Sequence, residues 1–171
     1  MHTENVFVAE QSAAIATAKS DYESERNKPM PNRIHGAVQS ALIIQLDRRY
    51  DDRYQWISEL NLDTHPPSTP DLCIYPQKPL SVKTVAAKES EPPLTTIEIL
   101  SPSQSLNELM HKAWDLYFPM GVQSAWIVVP ELKGIHIMLP NDETLYFGSG
   151  LLTDPATGIQ IEVEKVFKNL L

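Results

Sequence analysis

The chain has 171 residues, of which 42% are apolar and 21% are charged, and its formal net charge at pH 7 is -8. This length and composition exclude a disordered chain and predict a single domain that buries roughly two-thirds of its unfolded surface. One cysteine excludes an internal disulfide, and no apolar run approaches the roughly 20 residues of a membrane span, so we expect a soluble, cytoplasmic protein. The acidic charge argues against a general DNA-coating role, but it leaves room for a locally basic groove or for metal ions that neutralise phosphates.

The first part of the chain predicts two helices and a strand. Residues 11–26 are rich in alanine and then charged, which indicates a surface helix. After the proline-containing breaker "NKPMPN", the segment "RIHGAVQSALIIQLDRRY" repeats apolar residues with a spacing of four, which predicts an amphipathic helix with a stripe of Ile34, Val38, Leu42 and Leu46. The alternation in "YQWISELNLD" predicts a strand with one polar face, which includes Glu59.

The remaining elements follow in a regular order. "DLCIYP" predicts a short strand, residues 77–93 a polar surface connection, and "LTTIEIL" a third strand. "SPSQSLNELMHKAWDLYFPMG" predicts a helix that begins with serine capping and ends at Gly121. "SAWIVVP" is apolar on both faces, as a central strand covered on both sides would be. "GIHIML" and "TLYFGSG" predict a hairpin, and "GIQIEV" with "EKVFKNLL" a last strand and a short helix.

The order of these elements predicts an α/β fold. Two helices enclose three meandering strands, and the second helix crosses over to the buried fourth strand. We therefore expect an αβββαβ core with a mixed sheet flanked by helices, extended by the hairpin. One domain would cover residues 1–171, with residues 1–27 as a helical extension.

Two carboxylates stand out on this sheet. By the period of two, Asp71 and Glu98 occupy matching faces of the second and third strands, so they can lie side by side if these strands are neighbours. Two close carboxylates need a proton or a cation between them. Oxygen ligands favour Mg²⁺ or Mn²⁺, which can activate a water and stabilise charge on a transferring phosphoryl group.

Two further side chains are candidates for this site, and each has a structural alternative. Lys112 lies at the margin of its helix stripe and could orient a water or stabilise a pentavalent phosphorus, or it could simply extend into solvent. Glu59 could add a metal contact or belong to a solvated strand face. Asp71 has a structural alternative as well, because it follows a proline, where turn and cap residues are common. Glu98 is harder to explain structurally, because a carboxylate within an apolar strand is energetically costly unless it is paired.

The segments "TPDLCIYP", "IEILSPSQS" and "YFPMGVQSAWIVVP" resemble the Uma family of restriction endonucleases, common in cyanobacteria, within the PD-(D/E)XK nuclease superfamily. The likeness extends from about Lys28 to Phe167. It implies the αβββαβ core and Mg²⁺-dependent hydrolysis of DNA, with Asp71 and Glu98 as catalytic metal ligands and Lys112 as a catalytic lysine. It also implies that His35, at the start of the second helix, meets a phosphate, although histidines there are often structural.

The chain departs from the family pattern at two positions. The superfamily lysine should stand two residues after Glu98, where this chain has Leu100, and Lys112 would be its migrated replacement. Lys112 stands five residues before Tyr117, where four is the more familiar spacing. An inactive nuclease-fold dimer that serves as a binding or regulatory module remains the alternative, as does an RNA or branched substrate. The resemblance also implies a homodimer, which suits cutting both DNA strands.

Overall fold

The computed structural model describes residues 21–26 and 28–171. The chain divides into two compact units, residues 1–30 and 31–171. In the first unit, helix α1 covers Asp21–Arg26. The rest of the helix predicted over residues 11–26 lies outside the described residues. A single domain with a helical extension over residues 1–27 stays a prediction.

Helix α2 covers Arg33–Tyr50, as the apolar spacing predicted. Asn32 caps its start, because its side-chain oxygen accepts a hydrogen bond of 2.9 Å from the backbone N–H of His35. Three residues of the predicted stripe are fully buried, namely Val38, Leu42 and Leu46. Burial of each side chain contributes roughly 1.5–3 kcal/mol to the stability of the fold. The prediction was wrong for Ile34, which is 47% exposed because it lies in the first turn beside a surface pocket.

Six strands form one mixed sheet in the order β1-β2-β3-β4-β5-β6. Neighbouring strands are antiparallel except for β3 and β4, which run parallel because a helical crossover connects them. The predicted mixed sheet and its added hairpin, β5 and β6, are therefore confirmed. The strands are Tyr54–Ser58 (β1), Leu72–Pro76 (β2), Thr95–Ile99 (β3), Ser124–Val129 (β4), Gly134–Met138 (β5) and Thr144–Phe147 (β6).

The crossover from β3 to β4 has clear signals at both ends. Ser105 and Glu108 form a capping box, in which each side chain accepts a hydrogen bond from the backbone N–H of the other residue. At the other end Gly121 has a φ of 114°, a left-handed conformation that favours glycine. Between them lie helix α3, a π-helical turn and helix α4, which cover Leu106–Lys112, Ala113–Tyr117 and Phe118–Met120.

The sheet separates two apolar cores. Helix α2 contributes to one core and the crossover helices to the other. Successive residues of β4 alternate between the two cores: Trp126 and Val128 join the α2 side, while Ala125, Ile127 and Val129 join the crossover side. This arrangement confirms that the central strand is covered on both faces.

One predicted strand is shorter than its alternation suggested. β1 ends at Ser58, although the pattern predicted a strand through Asp63. The reason is Glu59, whose φ of 56° lies in the left-handed region and cannot continue an extended strand. Leu62 then forms isolated bridges with Ser68 and Glu89.

The C-terminal part contains a second small sheet. The predicted last strand is present as β8, Gln160–Glu162, and helix α5 covers Val163–Val166. β8 pairs antiparallel with a strand that the sequence pattern did not predict, β7, Leu151–Thr153. Three residues are too few for an alternation to be recognised.

Candidate active site

Three carboxylates come from adjacent strands at one end of the large sheet. Leu72 begins β2 and pairs with both β1 and β3. One residue beyond these pairs, Glu59 stands opposite Asp71, and Asp71 contacts β3 through its side chain, which accepts a hydrogen bond from the backbone N–H of the residue after Glu98. A backbone hydrogen bond of 3.2 Å from the Glu59 N–H to the Asp71 carbonyl oxygen extends the β1–β2 pairing to this position.

Asp71 is held by groups from both sides of its strand. Its carboxylate is 1% exposed. One oxygen, Oδ2, accepts a hydrogen bond of 2.7 Å from the backbone N–H of Ile99, and the other, Oδ1, lies 3.1 Å from Nε2 of His35. Gln39 in α2 donates a hydrogen bond of 3.0 Å to the Asp71 carbonyl. The residue that precedes β2 is therefore fixed by the sheet and by α2 together.

Glu59, His35 and Asp71 form one cluster. A ligand atom from each lies within 4.8 Å of the other two, so the three side chains could hold a metal ion. Glu59 enters the cluster from a left-handed backbone conformation, which costs a non-glycine residue of order 1–3 kcal/mol. Such strain is common where a side chain is held for function.

Glu98 has a different set of partners. It is 4% exposed, and its Oε1 accepts hydrogen bonds from the Tyr117 hydroxyl and from the Lys112 ammonium, the latter over 3.3 Å. No described residue donates a hydrogen bond to its second oxygen, Oε2. Two donors from the crossover therefore converge on one oxygen and leave the other for a ligand.

The π-helical turn explains how both donors reach Glu98. An α-helix brings residues three or four apart onto one face, whereas a π-helical turn adds one residue. Lys112 and Tyr117 are five apart, and the turn between them contains the corresponding bond from the Phe118 N–H to the Ala113 carbonyl. The π-helical turn therefore compensates for the spacing of five residues between Lys112 and Tyr117, and both side chains reach Glu98 on the sheet.

Tyr117 is a hydrogen-bond donor at any ordinary pH. Burial raises the pKa of its phenol well above the usual 10.0, and the negative charge of Glu98 raises it further. Because the phenol stays protonated, its O–H can donate to the Glu98 carboxylate.

A pocket lies beside this site, at the C-terminal ends of the parallel strands β3 and β4. Its volume is about 200 Å³, and its lining includes His35, Ser101 and Lys133. Ligands of α/β proteins commonly bind at such strand ends.

The model of one protein family matches residues 21–164 of this chain; the family is Uma2, described as "Putative restriction endonuclease". The chain belongs to the Uma2 family. A crystal structure from Anabaena variabilis ATCC 29413, described as "a putative nuclease belonging to DUF820", is similar with a TM-score of 0.68. The two chains are 24% identical over 84% of this chain and 85% of that chain, which shows a shared fold. A comparison with curated proteins finds no match.

The nuclease fold of this Uma2 protein brings the predicted site residues into two groups. Asp71 lies with His35 and Glu59, and Glu98 lies with Lys112. The catalytic and metal-binding roles of these five residues stay predictions. None of the described helices combines the length and the hydropathy that a membrane span requires.

Two partners of the buried polar network were not predicted. The sequence placed Tyr117 on the apolar stripe of its helix, and its hydroxyl was the only signal for a polar role. Asp154, on the opposite side of the sheet, is fully buried and accepts hydrogen bonds from Ser124 Oγ over 2.6 Å and Trp126 Nε1 over 2.8 Å. It lies in a loop, where no periodicity could have predicted its burial.

Proposed function

We propose that this Uma2 protein is an endonuclease that hydrolyses DNA phosphodiester bonds with a divalent metal ion, Mg²⁺ or Mn²⁺. The observation that carries the proposal is the cluster of Glu59, Asp71 and His35 at the sheet end where Glu98 also lies, with an ammonium group 3.3 Å from Glu98. Family membership supports the same class of reaction.

The residues at this sheet end fit a metal ion. Carboxylates crowded together away from water repel each other unless a proton or cation lies between them. Asp71 and Glu59, whose ligand atoms lie within 4.8 Å of each other, would hold the ion, with Glu98 Oε2 as the oxygen ligand from β3, and such oxygen donors suit Mg²⁺ and Mn²⁺. A bound ion would supply a more acidic water and stabilise negative charge on the phosphate.

Lys112 would supply the positive charge that position 100 lacks. The Leu100 side chain cannot donate a hydrogen bond, whereas Lys112 is 16% exposed and keeps its ammonium at the edge of the site. From there the ammonium can donate to a phosphate oxygen while it remains close to Glu98. Tyr117 would keep Glu98 in one orientation throughout.

The substrate and the assembly belong to the same proposal. DNA is a polyanion and this chain carries a charge of -8, so contacts to phosphates should concentrate at the cation and at Lys112. We also propose a homodimer in the cytoplasm, since two sites related by a two-fold axis could cut both strands.

The test is cleavage of plasmid DNA, with RNA and branched DNA in parallel, in Mg²⁺ and in Mn²⁺. We expect wild-type cleavage, and rates at least about a hundredfold lower for Asp71→Ala, Glu98→Gln and Lys112→Met, since each removes a group that stabilises transition-state charge. Asp115→Asn is the matched control, because this carboxylate lies on the same crossover but is 69% exposed.

The outcomes separate the candidates. An Asp71→Ala protein that still cuts DNA would overturn the assignment of the site. A folded wild type that neither binds a divalent ion in calorimetry nor cuts any of these substrates would instead favour the inactive binding module. Circular dichroism of each variant establishes that a lost activity is not a lost fold.

A further inference from the structure

We propose that His35 is a direct metal ligand, so that this site prefers a divalent transition metal such as Mn²⁺ over Mg²⁺. The inference rests on the proposed function insofar as both require a cation at Asp71. It goes further because it adds a nitrogen ligand from α2 to the carboxylates of the sheet.

The first argument is the geometry of His35 and Asp71. His35 Nε2 lies 3.1 Å from Asp71 Oδ1. The contact lacks hydrogen-bond geometry, since Nε2 counts among the buried atoms that have no hydrogen-bond partner in the described part of the chain. In an octahedral site with bonds of about 2.1 Å, adjacent ligand atoms lie about 3.0 Å apart. The observed pair matches two neighbouring ligands of one ion better than a donor and an acceptor.

The second argument is the burial of the imidazole. His35 is 5% exposed, and neither of its ring nitrogens forms a hydrogen bond with a described residue. A buried polar group without a partner costs about 1–3 kcal/mol, so an arrangement of this kind calls for a ligand. A metal ion on Nε2 would satisfy one of these two buried nitrogens directly.

The third argument is that the backbone holds His35 in place. The residue lies in the first turn of α2, and its backbone N–H is fixed by Asn32. Gln39, one turn further along, attaches the same helix to the Asp71 carbonyl. A ligand held this firmly does not have to be ordered when the ion binds.

The ligand set determines the preference. Mg²⁺ binds oxygen ligands and retains several waters, whereas imidazole suits transition metals. One imidazole with two carboxylates, from Glu59 and Asp71, therefore favours an ion that accepts both nitrogen and oxygen. Mn²⁺ meets this requirement, and its unpaired electrons also report directly on a bound nitrogen.

The experiment is pulsed electron paramagnetic resonance of the full chain with one equivalent of Mn²⁺, without an affinity tag and in a nitrogen-free buffer. We expect echo modulation from a directly bound ¹⁴N in the wild type, its loss in His35→Gln and its retention in His111→Gln. His111 is the matched control because it forms the other histidine–carboxylate pair among the described residues, with Asp115 at 3.5 Å. In calorimetry, His35→Gln should bind Mn²⁺ at least about tenfold more weakly and Mg²⁺ within about twofold of wild type.

Three results would overturn the inference, and they differ in what they say of the nuclease. Mn²⁺ that binds without nitrogen modulation, and is lost in Glu98→Gln, would leave a carboxylate-only site and the proposed function intact. Modulation that survives in His35→Gln would place the nitrogen elsewhere. No binding of Mn²⁺ or Mg²⁺ to the wild type would remove both proposals. If His35→Gln does not fold, the wild-type spectrum still shows whether a nitrogen is bound directly to Mn²⁺, and the absence of that signal would overturn the inference.

Discussion

Replacing Tyr117 by phenylalanine removes the hydrogen bond that holds Glu98, together with a weaker contact of the same hydroxyl with Ser68. The ring that packs in the crossover core remains, and only the hydroxyl that donates to Glu98 Oε1 is lost. A hydrogen bond to a charged group contributes about 1.5–3 kcal/mol. After the substitution, the Lys112 ammonium at 3.3 Å is the remaining donor to Glu98 Oε1. We therefore expect the free energy of unfolding to fall by about 2 kcal/mol, which lowers the urea midpoint by about 1 M at an unchanged slope.

Tyr75→Phe is the matched control for this substitution. Tyr75 lies in the same core, but its hydroxyl donates to a neutral group, the backbone carbonyl of Glu91, over 2.9 Å. Its loss should cost about 0.5–1.5 kcal/mol. If Tyr117→Phe is no more destabilising than Tyr75→Phe, then the phenol does not hold a charged carboxylate. Weaker metal binding in Tyr117→Phe alone would further connect this hydroxyl to the orientation of Glu98.

Two more outcomes follow from the buried polar groups. The raised pKa of Tyr117 means that the folded protein keeps a proton that the unfolded chain loses near pH 10. The contribution of this group to the free energy of unfolding is therefore fully present below about pH 10 and falls above it by up to about 1.4 kcal/mol per pH unit. In urea unfolding between about pH 9.5 and 11, the free energy of unfolding of Tyr117→Phe should fall less steeply than that of the wild type. Asp154→Ala should cost at least about 3 kcal/mol in urea unfolding, because it leaves the Trp126 indole N–H buried without an acceptor and takes the charged acceptor away from the Ser124 hydroxyl, which keeps only Thr95 Oγ1 at 2.7 Å. Metal binding in calorimetry should stay within twofold of wild type. A loss of stability under about 1 kcal/mol would contradict this view of the network.

Local signals predicted the elements well because their physical causes are local. The spacing of four apolar residues predicted α2, and the serine cap and Gly121 marked the two ends of the crossover. The period of two set Asp71 and Glu98 on matching faces, because successive side chains of a strand alternate. The apolar run of β4 predicted a strand covered on both sides.

The pattern failed where the backbone left its regular period. Alternation continued through Glu59, yet a left-handed conformation ends β1 there. Between Lys112 and Tyr117 a helical wheel assumes one constant turn, whereas the chain adds a residue in a π-helical turn. Neither departure has a signature in the spacing of apolar residues.

By itself, the sequence determined the order of helices and strands, the faces that Asp71 and Glu98 share, and the likeness to a nuclease family. Only the tertiary structure decided which side chains meet: His35 from α2 with Asp71, and Lys112 and Tyr117 with Glu98. Periodicity tells which face a residue occupies, but the distance between two distant segments depends on how the helices pack on the sheet. The division of the site into the cluster of His35, Glu59 and Asp71 and a separately held Glu98 is therefore a property of the packed fold.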